Sequence, residues 1–416
     1  MKRSRILRAA LAGLAVCLVA AACGSGGDTG DTASAAAGLT PGPAPTKGDL
    51  SIFFINAQGA SSGASYPEGT KAAQAAVEYI NKNLGGINGY TLKMETCFTD
   101  ETPAATINCA NKAAAAKPTV TVVGSVGGEA DVYTVLANSG VPYFSNWSAT
   151  TKVLSAGPPT AYVINSVANT AVLGMAQDMK QRGVTRAGII YVDAPGAIDI
   201  VDSTAPGFAK AGIAIQRVPV PYPSPDLTSA ISALQAEKPE AMLVLADPTT
   251  CLSALKAATS LAWDKPIYAS GSCESPTFAQ ATAQITVPVI TTAYNVDLNS
   301  DDPDVKAYSA AMAAYAPDQK DLTAYHSLQD FQGIMNLSAV LRKAAESGPV
   351  TSQGFVQAMQ GGPYPLFMMG SGKQFTCNGT VYPQYKSVCT AALFLSQYEN
   401  GKPGVPKPVD TSALVG

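Results

Sequence analysis

Gly59-Ala60-Ser61-Ser62-Gly63 forms a Gly-x-Ser-x-Gly pattern between an apolar strand-like run and a helix-like run. That context can raise a serine on a tight turn as a nucleophile. The serine would need a base, and the chain holds one histidine, His326, with Asp297 or Asp247 as the orienting acid. The loop argues against this chemistry. Several Gly, Ser and Ala residues separate Ser61 from the helix expected at Pro67, too slack for a strained elbow, and His326 is expected mid-helix between Tyr325 and Ser327. Gly370-Ser371-Gly372-Lys373 lacks the leading Gly and trailing Ser/Thr of a phosphate loop and reads as a turn. No Cys-x-x-Cys pair accompanies the single histidine, so no metal site is expected, nor any other cofactor. The reading is that the chain is not an enzyme.

The cysteines suggest a different role. Cys97, Cys109, Cys251, Cys273, Cys377 and Cys389 form an even set, which in an exported chain points to disulfides, with 15 pairings open to six cysteines. Their clustering suggests the local set Cys97–Cys109, Cys251–Cys273 and Cys377–Cys389.

Export is indicated by the amino terminus. Lys2, Arg3, Arg5 and Arg8 precede a short apolar stretch that ends in Ala20-Ala21-Ala22, directly before Cys23. A basic start, an apolar stretch and small residues at a cleavage point read as a secretory signal. The stretch is too short for a membrane span of about 20 apolar residues. The cysteine after the small residues makes it resemble a bacterial lipoprotein signal, although Ala20 stands where that signal usually has Leu. The resemblance implies cleavage of residues 1–22, lipid on Cys23, and a protein anchored on the extracellular face of the cell membrane. A plain secretory signal is the alternative, and Cys17, preceded by bulky Val16, is the poorer lipidation candidate. Gly24 to Lys47 is rich in small and polar residues and has one large aliphatic, Leu39. It reads as a flexible linker, giving 23–48 for lipidated cysteine plus tether. Loss of the four signal charges takes the formal net charge from −3 to about −7, which argues against nucleic acid.

Strand-like and helix-like runs alternate through the rest, with about two domains expected for the length. Leu50–Ala57, Tyr90–Cys97, Thr119–Gly124 and Val141–Phe144 read as strands. Pro67–Asn83, Pro103–Ala116 and Gly128–Ser139 read as helices between them. The pattern restarts with helices at Ala171–Arg182, Ile198–Ala211, Leu227–Ala236 and Thr250–Ala262 among four further strands. β-α-β order of this kind implies an α/β fold with parallel sheets covered by helices. The tail after Gly401 is expected to be poorly ordered.

The order of motifs resembles the type I periplasmic solute-binding proteins of ABC importers, in particular the branched-chain amino-acid-binding family, over about Leu50 to Lys402. The residues that carry the likeness are Gly69-Thr70-Lys71-Ala72-Ala73 through Asn81, Leu84-Gly85-Gly86-Ile87-Asn88-Gly89-Tyr90, Val122-Val123-Gly124-Ser125, Ser139-Gly140-Val141-Pro142-Tyr143-Phe144-Ser145, Phe375-Thr376-Cys377-Asn378-Gly379 and Tyr398-Glu399-Asn400-Gly401-Lys402. The likeness implies two doubly wound lobes joined by three hinge crossings. Lobe 1 would hold 49–165 and 292–366, lobe 2 would hold 166–291 and 367–405, and 406–416 would be a tail. It also implies a monomer that captures a small solute, an amino acid or another carboxylate-bearing metabolite, and delivers it to the membrane subunits of an ABC permease. A ligand-sensing module for a signalling partner is the alternative, and a secreted serine hydrolase a weaker one.

Ligands of such sheets lie beyond the carboxyl ends of the strands. The candidate ligand residues are therefore Tyr66, Gly127, Gly128, Trp147, Ser148, Ala149, Thr150, Asp193, Asp247 and Glu274. Amides at Gly127 and Gly128, ahead of a helix, can hold a carboxylate. Ser148-Ala149-Thr150 matches the family's carboxylate contact, with Trp147 inserted before it, and Glu274 matches approximately an acid that pairs an ammonium. The family's ligand-facing aromatic residues are absent from Asp193–Asp199 and Ala246–Thr250, which counts against a branched-chain amino acid. Bland roles compete: Tyr66 packing a helix entry, Ser148 and Thr150 forming caps or turns, Glu274 as a solvated acid, Asp193 as a helix cap.

Overall fold

A parallel strand buried on both faces needs apolar residues at successive positions. Asp49–Ala57 (β1) has them: Ile52 and Phe54 enter one core, Phe53 and Ile55 the other. The computed structural model describes residues 38–59, 65–148, 150–165, 169–411 and 413–414. The expected signal, Cys23, Ser61 and Ala149 lie outside them.

The first sheet has the order β13-β5-β4-β3-β1-β2, built from Val388–Thr390 (β13), Ala161–Asn165 (β5), Tyr143–Trp147 (β4), Thr121–Val123 (β3), β1 and Thr91–Thr99 (β2). Every pairing in it is parallel. Pro67–Asn83 (α1) covers one face. Its Ala72, Ala73, Ala75 and Ala76 are fully buried in one core with Phe331, Ile334 and Leu337 of Tyr325–Ala344, the helix labelled α11 below. Small side chains let helix, sheet and neighbouring helix approach closely, where dispersion contacts are densest. Pro103–Ala116 (α2) and Glu129–Asn138 (α3) lie in the core of the other face, and Cys97–Cys109 ties β2 to α2.

The chain crosses after β5 into Asn169–Gln181 (α5), leaving the short Thr151–Ala156 (α4) behind in the first lobe. The second sheet runs β15-β14-β10-β9-β8-β6-β7, with Lys402–Pro403 as β15 and Phe394–Glu399 as β14. Its parallel strands are Arg186–Val192 (β6), Ala214–Val220 (β7), Ala241–Leu245 (β8), Ile267–Ala269 (β9) and Val289–Ala293 (β10). Pro195–Ala211 (α6), Thr228–Ala236 (α7), Pro248–Ser260 (α8) and Pro276–Thr282 (α9) connect them. Along β6, Ile189 and Tyr191 join the core shared with the first lobe through Val172, Met175 and Met179 of α5, while Ile190 and Val192 enter a separate core with α7 and α8. Cys251–Cys273 and Cys377–Cys389 complete the three expected disulfides.

The chain returns to the first lobe after β10 with Pro303–Tyr315 (α10), α11 and Ser352–Gly361 (α12), followed by a small antiparallel pair, Tyr364–Pro365 (β11) and Gln374–Phe375 (β12). The third crossing differs from the division expected at 366/367. β13 pairs with β5 in the first sheet, and the chain rejoins the second sheet at Phe394–Glu399 (β14), antiparallel to β10. The crossing is therefore the short step from Thr390 to Phe394.

Both ends of the described chain are held where composition predicted freedom. Within the expected linker, the Gly42 N–H donates to Lys82 O at 2.7 Å, and Thr46 and Lys47 donate to Gly89 O at 2.9 and 2.8 Å. Lys82 lies in the last turn of α1, whose carbonyls lack helical partners. The tail also packs. Lys402–Pro403 and Lys407–Pro408 pair antiparallel with β14, the Tyr382 and Thr411 hydroxyls bond at 3.0 Å, and Leu414 is 3% exposed. An edge strand's open backbone groups supply the template. Leu414→Ala is expected to cost about 2 kcal/mol in urea unfolding, the low end for a buried leucine; an unchanged midpoint would show that the tail contributes nothing.

Candidate functional site: an interlobe cleft

Asn56, the residue before the last of β1, has a fully buried polar side chain. Its amide donates to Tyr66 O at 2.9 Å and Thr70 Oγ1 at 3.0 Å, and its carbonyl oxygen accepts the Ser125 N–H at 3.0 Å. One residue thus fixes the start of α1 and the turn after β3. Gly124 belongs to the same arrangement, since a Cβ there would lie 2.9 Å from Asn56 Oδ1.

These loops form one wall of a cavity of about 540 Å³. Lobe 1 supplies Tyr66, Glu101, Ser125 to Gly127, Glu129, Trp147 and Thr150. Lobe 2 supplies Val192, residues Ala194 to Ala197, Tyr222, Ala246 and Ser270 to Ser272, all beyond or at strand carboxyl ends. Ala171, Val172 and Met175 of α5 and the first residues of α11, Tyr325 and His326, complete it. The lobes also touch directly: Asp199 of α6 accepts the Thr151 N–H at 2.8 Å and its hydroxyl at 2.7 Å.

Rings crowd the first-lobe side. The Tyr66 and His326 centroids are 3.9 Å apart, and Trp147 stands 6.4 Å from Tyr325. His326 Nδ1 shares a hydrogen bond with the Ser125 hydroxyl at 2.5 Å, and burial pushes the imidazole down to about 3. It is therefore a neutral ring at physiological pH, a poor general base. Helix α11 begins at Tyr325, so His326 is at a helix start, not mid-helix as expected. Asp321 explains this, accepting from Thr323 N–H at 2.9 Å and its hydroxyl at 2.7 Å, a local turn that competes with helix. Asp297 accepts from Asn299 in a separate turn, and Asp247 caps α8.

The expected ligand residues separate into groups. Tyr66, Gly127, Trp147 and Thr150 line the cleft, Thr150 also capping α4 through Val153 N–H. Gly128 turns toward α2, where a Cβ would meet Thr106 Cγ2 at 2.7 Å. Ser148 is fully buried and donates to Glu129 Oε2 at 2.9 Å. Asp193 is exposed between two lining residues, Val192 and Ala194. Asp247 accepts from Thr249 and Thr250 N–H, and its neighbour Ala246 lines the wall. Glu274 accepts the Thr291 hydroxyl at 2.7 Å, and burial raises its carboxyl to about 7.

Sequence reasoning missed Glu101, Glu129, Tyr222, Tyr325 and the α5 face. Glu101 and Tyr222 follow the ends of β2 and β7, so the strand-end rule was a usable signal for both. Nothing local marked α5 or Tyr325. The Gly127 amide, expected to hold a ligand carboxylate, is bonded instead by the chain's own Glu101 at 2.6 Å.

A sequence profile described as periplasmic binding protein matches residues 53–388. The chain belongs to the periplasmic binding protein family. Among solved structures, the fold is similar to a fatty acid ABC transporter substrate-binding protein from Thermomonospora curvata (17% identity, 90% of this chain and 95% of that one, TM-score 0.72). It is also similar to a branched-chain amino acid ABC transporter protein from Thermus thermophilus with bound valine (13% identity, 88% and 97%, TM-score 0.75). A third is a solute-binding protein from R. palustris in complex with benzoate (14% identity, 87% and 96%, TM-score 0.69). No curated protein matches this chain in sequence. Among the described residues of this periplasmic binding protein, no helix is long and apolar enough to cross a membrane, and no cluster of three or more His, Cys, Asp and Glu side chains is placed to hold a metal.

Below His326 on α11, Asp330 is 5% exposed, and among the described residues its Oδ2 has no hydrogen-bond partner. Burial, then the charge of Glu68, raises its carboxyl to about 8. The folded state keeps a proton that the unfolded chain releases between about pH 4 and pH 8, so stability falls as pH rises across that window and levels above it. Asp330→Asn is expected to unfold at higher urea than the wild type at pH 8 and to lack this slope. Glu274 contributes the same sign up to about pH 7 in both proteins, so the difference between them isolates Asp330; identical pH profiles would refute its buried protonation.

Proposed function

We propose that the protein captures a small solute between its lobes outside the cytoplasm, held at the membrane by lipid on Cys23, and passes it to the membrane subunits of an ABC importer. One observation carries this reading: the carboxyl ends of two parallel sheets face a single cavity of about 540 Å³, of a size for a small metabolite. The relatives of similar fold described as ABC transporter binding proteins support the same role. Short crossings between the lobes suit a hinge, and a solute that touches both walls stabilises the closed arrangement by as much as it binds closed better than open. The Thr151–Asp199 contact would form part of that closed state. No chemistry on the solute is part of this reading: with its imidazole pushed down to about 3 by burial, His326 is too weak a base to activate the Ser125 hydroxyl beside it.

The two tryptophans allow a direct test. Trp147 lines the cavity, whereas Trp263 is buried in the second lobe with its indole N–H on Lys265 O at 2.7 Å. In full-length protein carrying Trp263→Phe, a captured solute is expected to change Trp147 emission saturably at the concentrations that raise the melting temperature. Trp147→Ala should weaken capture roughly tenfold or more, as for other buried aromatic anchors. A solute that raises the melting temperature without touching Trp147 emission would place binding elsewhere.

A further inference from the structure

The charged side chains lining the cleft have one sign. Glu101 and Glu129 are the ones among the described lining residues, none of which is a lysine or arginine. Asp247 adds to this from the second lobe, close enough that its charge helps raise the Tyr66 and Tyr222 phenols. Glu101 holds a particular station. Its Oε2 accepts the Gly127 N–H at 2.6 Å, and its Oε1 accepts the Thr99 hydroxyl at 3.2 Å. The backbone is bent to place it there, at φ +68, a left-handed conformation rare for residues with a Cβ. Gly127 permits the approach, because a Cβ there would sit 2.3 Å from Glu101 Oε2. The chain therefore fills, with its own carboxylate, the amide position ahead of α3 where a solute carboxylate would gain most.

An anion brought beside Glu101 in a partly dry cleft meets like charge with no basic lining residue to offset it. A cation meets the reverse: carboxylate oxygens, and the rings of Tyr66, Trp147 and Tyr222, whose faces attract positive charge. Met175, Val192, Ile200 and Leu245 offer apolar surface to the rest of the solute.

We infer that the cleft selects a solute with an apolar body and a protonated amine, and that Glu101, by occupying the Gly127 amide, is the residue that turns carboxylates away. This rests on the solute-capture reading and adds the chemical class to it. The test is calorimetry of the full-length protein, in detergent, with amine, primary amide and carboxylate derivatives of the same 3-phenylpropyl, 2-(indol-3-yl)ethyl and n-hexyl bodies. In the wild type the amine is expected to bind tightest and the carboxylate weakest. Glu101→Gln keeps an acceptor for the Gly127 N–H, so its melting temperature without probe should stay near the wild type. Its affinity for the amine should fall roughly tenfold, the size of a lost charged hydrogen bond, and its affinity for the carboxylate should rise. If the amide or the carboxylate binds the wild type more tightly than the amine, the selectivity is overturned while solute capture stands. If no derivative of any charge binds, both readings fall together. The wild-type order decides the question even if the variant fails to fold.

Discussion

The site depends on one buried asparagine. A strand that ends inside a protein leaves backbone groups that need partners, and Asn56 supplies them for two neighbouring segments at once, α1 and the turn after β3. Because it is fully buried, losing any of these bonds would strand a polar group away from water. This constraint holds Tyr66, Ser125 and, through Ser125, His326 in one wall. The cleft's first-lobe surface is thus set by a hydrogen-bond network rooted in the sheet.

The lobes are joined by packing as well as by hinge strands. α5 carries apolar side chains into a core that includes residues of both sheets, and the tail after Gly401 closes over the same region through Leu414. A shared core of this kind limits how far the lobes can separate, because opening it exposes apolar surface to water. The core around α7 and α8 lies within the second lobe, whereas the core on the α1 and α11 face also takes in Ala171 of α5 and Phe394 of β14.

Several elements were legible because a single residue decides them. Pro67 and Pro103 sit at the first helical positions, where the fixed φ of proline suits a helix start, and Thr102 caps the second helix through Ala105 N–H. Those two helices match their expected bounds. α4 and β5 were not read from sequence: each has six residues or fewer, too short for a periodic signal, and Gly157-Pro158-Pro159 stands between them. The linker and tail were read from composition as free chain. Composition describes what a segment can bury by itself, and both segments instead satisfy backbone groups that other elements leave open.

The sequence by itself determined the α/β alternation, the family likeness and the strand ends from which the site is built, because each of these is encoded in periodicity or in the type of a few neighbouring residues; it suggested the local disulfide set, which the structure decided among 15 open pairings. Only the tertiary structure decided which side chains at those ends face the cleft. Asp193 turns to solvent while its neighbours line the wall, and Asp247 caps its own helix. Glu101 takes the amide expected to hold a ligand carboxylate, and His326 arrives, with Tyr325 beside it, from 201 residues beyond Ser125. Hydrogen-bond competition between distant segments has no local signature, so the sign of charge in the cleft, and with it the choice of solute, appears only when the two lobes are brought together.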